Sequence, residues 1–176
     1  FRNLLGTAFD KMNLPEVSVR LDKAIQTRVG QANPNAEGQF DPIWSEVFLG
    51  VAKAREGTTT EQEVINNLSK TMGHELFHAA VFLDLFSAQE RANLNSYVTN
   101  TVLNKKSATT LLGADNLKTL TDTLGKEPTY LEAIEFRYNT LDNQNLNNQE
   151  LLEEASATLF EDYIRNRKKL SLQPKN

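Results

Sequence analysis

The chain has no cysteine, only two histidines and one tryptophan in 176 residues. Without cysteine there can be no disulfide framework, thiol nucleophile or thiolate metal site, and the redox compartment stays open. No apolar run is long enough to span a bilayer, and no secretory signal pattern is visible. Lys and Arg number 19 against 23 Asp and Glu, giving a formal net charge of −4 and no electrostatic footprint for nucleic acid. The one basic cluster, Arg165, Arg167, Lys168 and Lys169, falls at the end of a predicted helix, where cations complement the helix dipole. Internal repeats are absent. With 39% hydrophobic and 24% charged residues the chain can bury one core of ordinary size, so residues 1–176 read as one domain. The chain starts at Phe1 rather than methionine, which suggests a product processed or excised from a longer polypeptide.

Helical spacing of Leu4, Leu5, Ala8 and Phe9 predicts a first helix up to Met12, ended by Leu14-Pro15. Val17, Val19 and Leu21 alternate with polar residues, the period of a half-buried strand. Between Asn33 and Gly57, turn residues surround Phe40, Ile43, Trp44, Val47 and Phe48, so this segment reads as turns and short strands, one of them near Glu46 to Val51. Beyond Gly57 the pattern is helical. Thr60 with Glu63, Ser87 with Glu90 and Thr129 with Glu132 each match a capping box, marking three helix starts. The first of these helices is expected to run to about Leu85 and the second to about Leu103. A loop through Ser107 and Gly113 follows, then one or two short helices between Leu117 and Leu141. A polar loop, 142–149, leads to a final helix from about Gln149 to Lys169. The fold class is α+β, mostly α.

Both histidines lie in one pentapeptide, His74-Glu75-Leu76-Phe77-His78. Residues four apart share a helix face, so both imidazoles can reach one zinc ion while Glu75 addresses a metal-activated water. Two satisfied core histidines are the bland alternative. Given this composition, chance alone produces such a motif on the order of once in a thousand chains, which weighs against accident. Val64, Ile65, Leu68, Met72, Leu76, Phe77, Ala80, Val81 and Leu85 recur at helical spacing around the motif and bury the helix that carries it. Gly73, next to His74, costs about 1 kcal/mol in a helix relative to alanine, which points to a close backbone neighbour, a strand being the natural one.

A catalytic zinc needs a third protein ligand and an open position. Lacking another histidine, the chain must supply a carboxylate, and its final helix offers Glu150, Glu153, Glu154, Glu161 and Asp162. The small residues Ala155, Ser156 and Ala157 would let this helix come close to the histidine helix. Glu153 and Glu154 point about 100° apart, so one of the two is expected to ligate. Unused acids, including Glu150 at the helix start, serve the dipole and solvation.

His-Glu-x-x-His followed by Ala79, then Leu83-Asp84-Leu85-Phe86-Ser87-Ala88-Gln89-Glu90-Arg91 and Leu94, resembles the zinc-peptidase domains embedded in large polyvalent proteins of bacteriophages and mobile elements. These belong to the gluzincin side of the zincins, where a glutamate from a later helix completes the site. Their pattern Glu-x-x-Ala-x-x-Phe-Glu-x-Tyr is matched by Glu154, Ala157, Phe160, Glu161 and Tyr163, so the resemblance selects Glu154 as the third ligand. It covers roughly residues 38–165. It implies a zincin-like fold, with a small N-terminal strand region and a helical bundle carrying the histidines and the later glutamate helix. The implied activity is that of a zinc metallopeptidase with zinc on His74, His78 and Glu154 and with Glu75 as general base. Tyr97, Tyr130, Tyr138 and Tyr163 are candidate donors to a tetrahedral intermediate. The strand near Glu46 to Val51 is expected to accept an extended peptide along its edge, which favours a peptide or protein substrate. The resemblance adds the parent polypeptide or virion components as candidate partners and leaves the location open between cytoplasmic and virion-associated. Two other classes stay open: a zinc amidase acting on peptidoglycan peptides, and a non-catalytic helical module of a larger virion or mobile-element protein.

Overall fold

The computed structural model describes residues 18–22, 25–26, 32–33, 36–43 and 45–171, with side chains for 20–21, 36–43 and 45–163. The helix expected before Met12 and the side chains of the basic cluster at 165–169 lie outside the described residues. The described chain is α+β and mostly helical, as composition and patterning predict. It forms two compact units, residues 1–86 with 160–176 and residues 87–159.

The first unit carries the strands. β1 (Ser18–Asp22), β4 (Gly38–Asp41) and β5 (Glu46–Gly50) make a mixed sheet, and β2 (Ile25–Gln26) pairs with β3 (Ala32–Asn33) as a separate ribbon. β5 is the middle strand, parallel to β1 with Val19 opposite Val47, and antiparallel to β4 with Phe40 opposite Val47. This corrects one expectation: both edges of Glu46–Gly50 already carry ladder hydrogen bonds, so β5 cannot accept a peptide. The described edges of this sheet are β1 and β4. Val47 and Leu49 of β5 are buried, as befits alternate residues on a half-covered sheet. Gly50 closes β5 by donating to the Glu37 carbonyl at 2.8 Å, and a Cβ there would lie 2.6 Å from the Ala36 oxygen, so backbone approach requires glycine.

A five-residue helix, α1 (Val51–Arg55), follows β5 directly, where the sequence reads as turn and strand. It is too short to show a period of its own, and it is held from outside by Asn67, whose side chain donates to the Ala54 carbonyl at 3.0 Å. α2 (Glu61–Phe82) then starts at Thr60 with the complete capping box to Glu63. It stops three residues before the expected end. Asp84 sits in the left-handed region at φ 54°, and the Leu85 and Asp84 amides donate to the Ala80 and Val81 carbonyls, a Schellman ending that the apolar periodicity through Leu85 conceals. α2 packs on β4 and β5, and Phe77, Phe86 and Phe160 form a buried aromatic cluster beneath it.

The second unit is helical. α3 (Ala88–Asn100) and α6 (Tyr130–Glu135) begin with the expected capping boxes at Ser87 and Thr129. α4 (Lys105–Leu112) replaces the loop expected through Ser107; Asn104 caps it by accepting from the Lys106 amide, and Ser107, Ala108 and Leu112 are buried. Three weak formers in eight residues, Ser107, Thr109 and Thr110, mask the helix in sequence, since packing rather than propensity holds it. α5 (Ala114–Leu124) ends at Gly125 with φ 67°. After α6 comes a π-helical segment, Phe136–Leu141, and after the polar loop α7 (Asn148–Ser171), whose residues to Leu159 belong to this unit and from Phe160 onward to the first. No helix among the described residues is long and apolar enough to cross a membrane.

Candidate metal centre

α2 is straight helix through the pentapeptide, so His74 and His78 fall one turn apart, with ring centroids 4.8 Å from each other and planes at 62°. Both are half-buried. Behind His74, the Nδ1 atom lies 3.0 Å from Glu161 Oε1, and Glu161 Oε2 lies 3.3 Å from Lys70 Nζ. At this distance the Glu161 carboxylate bears on the ring both as an acceptor and through its charge. A carboxylate at Nδ1 favours the tautomer with the proton there and leaves the Nε2 lone pair for a metal. Burial pushes the Glu161 carboxyl up, but His74 and the Lys70 ammonium outweigh it and hold the group below the ordinary carboxylate range.

Glu75 points a third of a turn away from His74, towards the sheet. A Cβ at Gly38, the first residue of β4, would lie 2.9 Å from Glu75 Oε1, 2.8 Å from its Cγ and 2.5 Å from Thr71 Cγ2. The strand that approaches α2 is β4, and it does so on the face of Thr71 and Glu75 rather than at Gly73, which points to another side of the helix; the glycine that permits the approach is Gly38. Gly73 itself is buried.

Glu154 lies on α7 in the stretch whose small residues Ala155, Ser156 and Ala157 are all buried. Tyr138 Oη donates to Glu154 Oε2 at 3.1 Å. Glu150 takes the helix-start role expected of it, accepting from the Asn147 amide at 2.8 Å. Tyr130 is a buried residue of the second unit, while Tyr97 and Tyr163 are half-buried.

One ligand atom from each of His74, His78 and Glu154 lies within 4.8 Å of the other two, and the three form a cluster that could hold a metal ion. Glu153 is not part of it. Two imidazoles and one carboxylate are a donor set that suits a first-row divalent ion and leaves a coordination position open. The supporting residues Lys70, Tyr138 and Gly38 were not legible as such. Glu161 carried a signal, since it stands seven residues after Glu154 and therefore on the same helix face. Tyr138 is singled out in sequence only as one of four oxyanion donors and Gly38 only as a turn residue, because their contacts to Glu154 and Glu75 depend on where the π-helical segment and β4 lie.

No protein-family model matches the chain, and no curated protein or solved structure shows significant similarity to it.

Proposed function

We propose that the chain is a zincin-type zinc metallopeptidase, with His74, His78 and Glu154 as ligands and Glu75 as general base. The observation that carries this reading is the convergence of the three ligand atoms within 4.8 Å, two from one helix turn and one from a distant helix. Three protein ligands suit catalysis better than structure, because structural zinc sites close with four. Bound zinc would supply Lewis acidity towards a carbonyl oxygen and activate water for attack. The Glu75 carboxylate accepts the proton from the attacking water and returns it to the leaving amine. Glu161, backed by Lys70, keeps the His74 ring in register.

A peptide substrate is supported by β4, an edge strand of the described sheet that starts at Gly38 against Glu75. An extended peptide pairing with that edge would bring its backbone past the general base. The resemblance to peptidase domains of phage and mobile-element polyproteins adds the parent polypeptide and virion components as candidate substrates.

Metal analysis of the purified chain beside His78→Ala, Glu154→Ala and Glu153→Ala tests the ligand set. One zinc in the wild type and in Glu153→Ala, and loss in the other two, is expected. Equal zinc in all four proteins would overturn the assignment. Hydrolysis of unstructured proteins and of peptidoglycan peptides, assayed in parallel, tests the reaction: cleavage of the former supports a peptidase, cleavage of the latter alone an amidase, and cleavage of neither by a zinc-loaded protein a non-catalytic module.

A further inference from the structure

We infer that Tyr138 is a positioning residue for the metal ligand Glu154, presented by a purpose-built bracket between α6 and α7; the inference rests on the zinc reading above. The observations lie within one unit. Phe136–Leu141 winds as a π-helix, in which the Asp142 amide donates to the Arg137 carbonyl five residues back at 3.0 Å. Such turns are rare and concentrate at functional sites, because the widened turn re-aims a side chain. Here the segment is fastened on several sides. The Gln144 amide donates to the Tyr138 carbonyl at 2.9 Å, and Arg137 Nε pairs with Asp142 Oδ2 at 2.9 Å. Asn139 clamps Leu146 from both directions, accepting from its amide at 2.6 Å and donating to its carbonyl at 3.0 Å. Asn143 and Asn145 occupy the left-handed region at φ 55° and 56°, which lets the loop double back to the start of α7.

The product of this bracket is one hydrogen bond, Tyr138 Oη to Glu154 Oε2. A phenol has a single hydrogen, so while it is given to the carboxylate it cannot also serve an oxyanion. Tyr138 therefore drops out of the oxyanion candidates and takes a different role. With Oε2 engaged by a neutral donor, rotation of the Glu154 carboxylate is restricted, which holds it in the cluster with His74 and His78.

Zinc affinity, measured by chelator competition for the wild type, Tyr138→Phe, Asn139→Ala and the control Tyr97→Phe, tests this. Tyr138→Phe is expected to weaken zinc binding by about 10- to 100-fold, and Asn139→Ala, which keeps the hydroxyl but unties the bracket, to shift it in the same direction. Tyr97→Phe should bind as the wild type does. In a Glu154→Gln background, removal of the Tyr138 hydroxyl should have no further effect, which a general loosening of the fold would not reproduce. The visible absorption of the cobalt-loaded protein gives a second readout: it should weaken in Tyr138→Phe as the freed carboxylate supplies both oxygens. Equal affinity and equal spectra of wild type and Tyr138→Phe, or the same loss with and without Glu154, would overturn the inference while leaving the zinc site standing. A wild type that takes up no metal would overturn both.

Discussion

The two regions that carry the proposed ligands support them by opposite means. On α2 the imidazole of His74 is backed by a charged pair, the half-buried Glu161 carboxylate at 3.0 Å and the Lys70 ammonium behind it at 3.3 Å. On the first half of α7 the Glu154 carboxylate is backed by a neutral phenol held in a π-helical bracket. The difference follows from the ligands. A neutral imidazole gains basicity and a fixed tautomer from an anion at its far nitrogen, whereas a carboxylate already carries the charge and needs only to be aimed. A cation beside Glu154 would compete with a metal for the same lone pairs; a phenol does so far more weakly. Glu75, the proton acceptor of the proposed reaction, belongs to the charged region, and its constraint is steric, the approach of β4 at Gly38.

The largest effect expected is on chemistry without ligation. Glu75→Gln should leave zinc content and fold as in the wild type and lower the hydrolysis rate by about a hundred- to ten-thousand-fold, the usual loss on removal of a positioned general base. Equal cleavage by the two proteins would remove Glu75 from the mechanism and leave α2 a ligand helix alone.

Next is the charged support itself. Glu161→Gln keeps the shape but removes the anion behind His74, so zinc affinity should fall by about 10- to 100-fold. It also strips Lys70 of its partner in a half-buried setting, which should lower stability by up to about 3 kcal/mol. Tyr138→Phe should show the affinity loss with little loss of stability. If Glu161→Gln loses stability and keeps its zinc affinity, the pair is structural and the contrast between the two regions fails.

What was legible in the sequence divides along physical lines. The histidines and Glu75 could be read because their relation is set by the helix period within five residues. The capping boxes at Thr60, Ser87 and Thr129 were equally local. Glu154 required a resemblance, because spacing along one helix cannot say which of two neighbouring acids meets another helix. The end of α2 was missed by three residues because a left-handed Asp84 does the work usually given to glycine, and α4 was missed because its Ser and Thr side chains favour loops until Ser107, Ala108 and Leu112 are buried. The edge-strand assignment failed for a topological reason: sequence shows that Glu46–Gly50 is a strand, but only pairing on both sides shows that it is the middle one. Gly38 was silent, since a glycine at the start of a strand looks like a turn residue until Thr71 and Glu75 are seen against it.

Gly38 supplies the third test. An added methyl would overlap Thr71 Cγ2 at 2.5 Å, and Thr71 is buried and stiff at χ1, so β4 or α2 must shift. Gly38→Ala is expected to cost about 1–3 kcal/mol in urea denaturation, as overpacking does. Because the same methyl would press on Glu75, the hydrolysis rate should fall while zinc affinity holds. A stable, fully active Gly38→Ala protein would mean that β4 does not bear on the general base.

The smallest effect concerns how the two regions hold their helix starts against acid. Glu63 caps α2 and Glu132 caps α6 through the same box geometry. Hydrogen bonds from the Thr59 and Thr60 amides and hydroxyls lower the Glu63 pKa at a fully exposed site. For Glu132, partial burial pushes upward, but Lys126 at 2.8 Å and the Thr129 amide and hydroxyl outweigh it and the carboxyl is held low. With folded values below the unfolded one, each group's contribution is fully present above about pH 4.3 and is lost as pH falls through the folded value. Urea denaturation at pH 7 and at pH 3 should therefore show Glu132→Gln less stable than the wild type at neutral pH, by no more than about 1 kcal/mol, with the gap closing in acid. Glu63→Gln should behave in the same sense but more weakly, since solvent screens an exposed cap. A gap for Glu132→Gln that widens in acid would reverse the sign and show that burial, rather than Lys126 and Thr129, governs that carboxylate.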